Sequence, residues 1–311
     1  MLDVIDLDGL GSGDPAAVRR VAAELGRACR EVGFFYVRNH GVPAALLSGM
    51  FASAAAFFAA PRAVKDALAI TRSPHNRGYV GIATESLNRV QADLKEAFNI
   101  GLDLPLSDPE VIAGKPFRGV NLWPRIDGFR DTAIGYFDAL WRLGLDLHRA
   151  IATDLALPRD FFAGKFDRPM ATLRLLHYPA REAGEHNHPA AGEHTDYGSL
   201  TILLTDDAGG LEVRRRDGTW IKAPPIPGAF VCNIGDCLMR WSNDTYVSTP
   251  HRVTSPPGRD RYSIAFFFDP NPDAVIECLP GCVAPGQEPK YAAILAADYL
   301  KQRLVATYGA S

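Results

Sequence analysis

Ala171-Thr172-Leu173-Arg174-Leu175-Leu176-His177-Tyr178 is a run closed by Pro179 and Ala180, too short for an ordinary helix and rich in apolar side chains. Such a run reads as a buried strand. It opens a series: residues 200–204, 211–216, 219–222, 229–234, 237–241, 251–255 and 262–269 are further strand candidates, separated by Gly, Pro, Asp and Asn. Asp217-Gly218 marks a hairpin between two of them. Many short strands at this spacing predict a sandwich or a barrel.

Upstream the pattern is helical. Asp14 is a good N-cap and Pro15 a good first helical residue, Val18, Val21, Leu25, Cys29 and Val32 share one face, and Gly33 offers the stop. Phe34-Phe35-Tyr36-Val37-Arg38 follows as a strand closed by the turn-like Asn39-His40-Gly41-Val42-Pro43. A second helix is expected over 44–60, with Pro61 at its end, and strands over 78–82 and 97–102 within a mixed segment. From 127 to 155, Phe129, Ala133, Phe137, Leu140, Leu147 and Ile151 recur at helical steps, and 290–308 reads as a final helix. No internal repeat or linker interrupts the chain. The expected organisation is one compact unit, 1–311: an N-terminal helical and mixed region (1–125), a long-helix region (126–170), a β-rich core (171–275) and a C-terminal helical region (276–311).

Composition narrows the class. The 311 residues are 47% hydrophobic and 22% charged, which excludes a disordered, collagen-like or coiled-coil chain. A net charge of -3 leaves no basic excess for a phosphate backbone, so a dedicated nucleic-acid binder is not expected. The longest near-apolar stretches, 51–60 and 262–268, are too short to span a bilayer, and the early acids of the N-terminus do not make a signal peptide. A cytoplasmic protein without nucleic-acid or membrane partners, monomeric or a small homo-oligomer, is the expectation. The five cysteines, Cys29, Cys232, Cys237, Cys278 and Cys282, form no C-x-x-C and read as free thiols.

Chemistry concentrates in Gly192-Glu193-His194-Thr195-Asp196-Tyr197. On an extended segment, side chains two apart share a face, so His194 and Asp196 present an imidazole beside a carboxylate. That is two thirds of the 2-His-1-carboxylate set of non-haem Fe(II) oxygenases. A surface turn with a hydrogen-bonded histidine gives the same local pattern. Ser248-Thr249-Pro250-His251 supplies a third ligand candidate, and Arg261-Tyr262-Ser263 places a guanidinium and a hydroxyl on one strand face. A guanidinium fork suits a carboxylate, although it also suits a surface ion pair. Glu185-His186-Asn187-His188 stands open as a second metal site, a substrate contact or a polar loop beside a pocket mouth.

In sequence order, these motifs resemble the isopenicillin N synthase-like branch of the Fe(II)/2-oxoglutarate-dependent dioxygenases. Residues 33–43 resemble the family's opening signature. Leu173 to Pro179, His194-Thr195-Asp196-Tyr197-Gly198, Gly235-Asp236, Trp241-Ser242-Asn243, His251-Arg252-Val253 and Arg261-Tyr262-Ser263 follow in family order. The resemblance implies a distorted double-stranded β-helix (a jelly roll, a mainly β core within an α+β chain) flanked by N-terminal and C-terminal helices. It implies His194, Asp196 and His251 as iron ligands, Arg261 and Ser263 as the pair for the distal carboxylate of 2-oxoglutarate, and Tyr178 as a further co-substrate contact. The implied reaction couples O2 and 2-oxoglutarate decarboxylation to oxidation of a small molecule, most simply its hydroxylation, giving succinate and CO2, with ascorbate a useful reductant in vitro. Desaturation, ring closure and ethylene formation also occur within the branch.

One departure stands out: where many members carry Asn two residues before the Tyr-Pro, this chain has Leu176. Two other readings compete with the main one. An Fe(II) oxidase of the same fold, of the isopenicillin N synthase or aminocyclopropane-carboxylate oxidase kind, would not use 2-oxoglutarate. A catalytically silent binding protein would have lost a ligand, and His194, Asp196 and His251 are all present. For the substrate, the family implies contacts from the N-terminal half and the last helix, with Arg77, Tyr79, Phe98 and Asn99 as candidates. His177 should face away from the pocket if Tyr178 faces in.

Overall fold

The computed structural model describes residues 1–82, 93–180, 190–254 and 258–308. The chain opens with β1 (Asp3–Asp6), α1 (Pro15–Glu31), β2 (Phe34–Arg38), α2 (Ala44–Phe58) and the short α3 (Arg62–Asp66). β3 (Gly78–Val80), β4 (Glu96–Gly101) and α4 (Pro109–Ile112) lead to the long α5 (Phe129–Asp154). Then come β5 (Thr172–Tyr178), β6 (Ala191–His194), β7 (Leu200–Thr205), β8 (Leu211–Arg214), β9 (Trp220–Lys222) and β10 (Phe230–Ile234). α6 (Asp236–Trp241), β11 (His251–Val253), β12 (Arg261–Phe268), the pair β13 (Val275–Ile276) and β14 (Ile294–Leu295), and α7 (Ala296–Tyr308) complete it.

The local rules hold at the first helix. The Asp14 carboxylate accepts from the amides of Ala16 and Ala17, Pro15 sits where its missing N–H costs nothing, and Gly33 at φ +71° ends the helix. α1 and α2 both pack on α5, whose buried stripe includes Phe129, Ala133, Phe137, Leu140, Leu147 and Ile151. That helical layer shares one hydrophobic cluster with the outer face of the sheet.

Two sheets form the β core. The larger has eight strands in the order β1-β2-β10-β7-β12-β5-β4-β3, antiparallel except for β1 on β2, and the smaller has four in the order β6-β11-β8-β9. A second apolar cluster joins them, with Ala97, Leu176, Val231 and Ala265 from the large sheet meeting Ala191, Leu211, Val213 and Val253 from the small one. The sheets therefore face each other, and polar residues gather at one region of the space between them.

One expected strand is a helix. Residues 237–241 form most of α6. A short apolar run does not reveal its own period, and here the start of the helix has acceptors waiting for its free amides. The Asp236 N–H donates to the Asp196 carbonyl at 2.8 Å, and the Cys237 N–H to those of Tyr197 and Gly198 at 3.1 Å. Gly235 makes this approach possible, because a Cβ there would lie 2.2 Å from the Gly198 carbonyl oxygen. β1 and β6 were not expected from the sequence. β6 is a strand of alanine, glycine and two polar residues, so propensity does not announce it.

Candidate active site

β6 ends on His194, and β11 begins on His251 directly opposite it in the antiparallel ladder. The two imidazole Nε2 atoms lie 3.8 Å (His194) and 3.7 Å (His251) from Oδ1 of Asp196. One ligand atom from each residue comes within 4.8 Å of the others. Every member is oriented by a second bond. The Nδ1–H of His194 donates to the Gly192 carbonyl at 2.7 Å, and that of His251 to the Thr249 carbonyl at 3.2 Å. A carbonyl only accepts, so each ring carries a proton on Nδ1 and turns its Nε2 inward. Asp196 Oδ2 accepts from Thr201 Oγ1 at 2.6 Å and from Asn233 Nδ2 at 2.8 Å, which leaves Oδ1 to face the imidazoles.

The electrostatics agree with that geometry. Burial, reinforced by the neighbouring His251, pushes the His194 imidazole down to about 3, so it is neutral at ordinary pH. Burial opposes ionisation of Asp196, but His251, His194 and the bonds from Thr201 and Asn233 outweigh it and hold the carboxyl below its usual range. A neutral imidazole at His194 and an ionised carboxylate at Asp196 are the states in which these side chains bind a divalent metal. Two nitrogens and one oxygen on one wall of an open cavity fit a metal with free positions for other ligands.

The cavity, about 170 Å³, lies between the sheets. Register orders its large-sheet wall into rows. Arg261 pairs with Tyr178; Ser263 with Leu176; Ala265 with Arg174, which pairs on its other side with Asn99; and Phe267 with Thr172. All of these line the cavity. Arg261 is 1% exposed, with Nε bonded to the Gly209 carbonyl, Nη1 to Ser263 Oγ at 3.2 Å, and its guanidinium 4.7 Å from the Tyr178 ring centroid. Arg174 stands four residues along the strand from Tyr178, about 13 Å at ordinary strand rise. Its Nη1 donates to Asn99 Oδ1 at 3.2 Å, and Asn99 in turn donates to Asn76 Oδ1.

Of the four substrate candidates, Asn99 lines this cavity. Tyr79 instead donates to Glu96 at 2.6 Å, Phe98 packs 4.4 Å from Phe57, and Arg77 is buried at 2% exposure in range of Asp269. Period 2 accounts for the split on β4: Asn99 faces in, so Phe98 faces the helices. His177 faces away from Tyr178's side, bonded to Glu96 at 2.8 Å and stacked on Tyr262. His40 bonds the Gly228 carbonyl, and all five cysteines are free. His186 and His188 lie outside the described residues. Sequence reading missed Asn233, Thr201 and Arg174. Asn233 carried a signal, because a lone amide within the buried run Phe230–Ile234 requires partners.

Comparison with known proteins places this geometry. Residues 2–126 match the model described as non-haem dioxygenase in morphine synthesis N-terminal, and residues 170–270 match that of the 2OG-Fe(II) oxygenase superfamily. The 2-oxoglutarate-Fe(II) type oxidoreductase hxnY of Emericella nidulans is 35% identical, over 98% of this chain and 90% of its own. The chain belongs to the Fe(II)/2-oxoglutarate-dependent dioxygenases. Among its other relatives, homoarginine-6-hydroxylase 2-ODD-233 of Oryza sativa subsp. japonica is 35% identical, over 95% of this chain and 93% of its own. A full-length Neurospora crassa protein, crystallised with alpha-KG and thymine, superposes with a TM-score of 0.86 at 34% identity, over 98% of this chain and 96% of that one. The facing sheets are the double-stranded β-helix of this dioxygenase family, whose cofactors are Fe(II) and 2-oxoglutarate. These relatives act with 2-oxoglutarate on small molecules, and they lend no support to an oxidase that dispenses with it. Among the described residues, no helix is long and apolar enough to cross a membrane.

Proposed function

We propose that His194, Asp196 and His251 hold Fe(II), that Arg261, Ser263 and Tyr178 hold the distal carboxylate of 2-oxoglutarate, and that a small molecule is hydroxylated at the end of the cavity bounded by Asn99 and Arg174. The observation that carries this reading is the convergence of His194, Asp196 and His251 on a cavity whose large-sheet wall holds the bonded pair Arg261 and Ser263 beside the Tyr178 ring. Arg174 and Asn99, bonded to each other, line the same cavity farther along the strands and are the substrate contacts in this reading. Bound Fe(II) and 2-oxoglutarate supply activation of O2, with decarboxylation of the co-substrate to succinate and CO2.

The protein's own residues do the rest. Thr201 and Asn233 keep Asp196 ionised and pointed inward. Ser263 and the Gly209 carbonyl hold the Arg261 fork in place before the diacid arrives, so little ordering is left to binding. Leu176, Leu203, Phe267 and the α7 residues Leu300 and Leu304 supply apolar walls that exclude water around the reacting carbon. The homoarginine and thymine named for the relatives both carry carbonyl or carboxylate oxygens, which suit the polar groups at this end of the cavity.

Succinate release with Fe(II), ascorbate, 2-oxoglutarate and air tests the reading. Iron-dependent succinate that disappears in His194→Ala, and that thymine or homoarginine accelerates if either resembles the true substrate, is the expected result. Failure of the Fe(II) protein to bind 2-oxoglutarate without oxygen would overturn the co-substrate assignment.

A further inference from the structure

Asp93 and Lys95 lie just before β4, 1% and 5% exposed, and form an ion pair inside the protein. Removing two charges from water is costly, and an apolar pair of similar volume would fill the same space at least as stably. The pair therefore calls for a role beyond filling. Its connections supply one. While Lys95 holds Oδ2 of Asp93, Oδ1 accepts the amide N–H of Gly192 at 3.1 Å. The carbonyl of that same glycine accepts the Nδ1–H of His194 at 2.7 Å.

Gly192 needs an outside hold. β6 is four residues long and sits at the edge of the small sheet. Its ladder to β11 pairs His194 with His251 and Ala191 with Val253, with an irregular register between them. The break in the ladder falls at Gly192 and Glu193, next to the histidine whose direction matters most. A glycine also has the widest backbone freedom, so without a second restraint its carbonyl could swing away from the imidazole.

Resting on the metal assignment above, we infer that Asp93 and Lys95 are a positioning pair for His194. Lys95 holds Asp93 in place, Asp93 clamps the Gly192 amide, and the Gly192 carbonyl fixes the tautomer and direction of the imidazole. Neither residue touches the metal in this scheme; both act through Gly192.

The test uses Co(II) affinity of the purified full chain and the ¹⁵N NMR signature of the His194 ring in the metal-free protein. Wild type should show His194 protonated on Nδ1. Asp93→Leu should bind Co(II) about 10–100-fold more weakly, the usual effect of losing an outer-shell partner, and should show a mixture of tautomers. Lys95→Met leaves a buried carboxylate unpaired and should weaken Co(II) as well. The double variant Asp93→Asn with Lys95→Met removes both charges yet keeps an oxygen for the Gly192 amide, so it should recover most of the affinity. A pair that merely stabilises the fold would lower the melting temperature and leave affinity and tautomer unchanged, and that result overturns the inference. If Asp93→Leu does not fold, equal Co(II) affinity in wild type, Lys95→Met and the double variant overturns it too. Undiminished Co(II) binding in His194→Ala would instead remove the metal assignment on which the inference rests.

Discussion

The two sheets divide the work unequally. The small sheet carries His194 and His251 on strands of four and three residues, with Asp196 on the loop that follows β6. The large sheet carries Arg261, Ser263, Tyr178 and Arg174 on strands of eight and seven residues, paired on both sides. The proposed metal donors thus sit where the backbone is least regular, each corrected by an extra bond, whereas the proposed anchors sit where continuous pairing already sets their spacing. A long ladder measures distance along its length, and the spacing of Arg261 from Arg174 is such a measurement. Short strands and the loop after β6 cannot do this alone, and Gly192, Thr249, Thr201 and Asn233 are each bonded to one of the proposed metal donors.

That contrast can be broken by experiment, and the largest effect belongs to the small sheet. His194→Ala, Asp196→Ala or His251→Ala should each abolish iron-dependent succinate formation while circular dichroism shows a folded protein; full turnover in any one would remove that residue from the ligand set. On the large sheet, Arg261→Ala should leave metal binding intact and raise the 2-oxoglutarate requirement by about 2–5 kcal/mol in binding terms. Titration of the anaerobic Fe(II) protein with 2-oxoglutarate reads this directly, and an unchanged requirement would mean that another cation anchors the diacid.

A third prediction concerns the helix that braces the large sheet. His148, on α5, bonds the Gly144 carbonyl and Ser199 Oγ, both at 2.8 Å, and burial pushes it down from 6.5 to about 4. Above pH 6.5 the imidazole is neutral whether the chain is folded or unfolded, and it costs nothing. As pH falls below that value the unfolded chain takes up a proton that the folded one refuses. Stability is therefore lost between pH 6.5 and 4, by at most about 3 kcal/mol. His148→Gln can keep both bonds without titrating, so urea unfolding at pH 7.5 and pH 5 should show a smaller loss than in wild type. An identical loss would place the acid sensitivity elsewhere. The smallest effect is expected at Leu176→Asn, opposite Ser263: metal binding should be unchanged and 2-oxoglutarate affinity altered by no more than about 1 kcal/mol. Loss of iron there would show that the two walls are less independent than the sheet contrast implies.

Legibility followed the same division. Strands with apolar alternation or apolar runs, β5, β7, β10 and β12, could be read from composition and period, and so could α1 and α5 with their caps and stripes. β6 could not, because Ala-Gly-Glu-His carries no strand preference and is extended only through its partners. The run 237–241 misled for the opposite reason: its apolar residues suit a strand, and carbonyls from a distant loop made it the start of a helix. The proposed metal donors were readable through spacing and order. Asp93, Lys95 and Arg174 were not, since each takes its meaning from a residue remote in sequence. Among the substrate candidates, strand period separated Asn99 from Phe98 once the inward face of β4 was known.

α7 closes one side of the cavity with Leu300 and Leu304, while Arg303 between them bonds Asp236 at 2.6 Å and lies 4.8 Å from the Tyr197 ring centroid. This wall belongs to neither sheet, so a change of side-chain volume at Leu300 or Leu304 alters no strand register. A smaller or larger side chain at either position therefore changes the shape of the cavity while leaving the strands that carry its polar groups as they are. The outline of the cavity thus comes from two kinds of scaffold, and the helical one can be recut without rewriting either ladder.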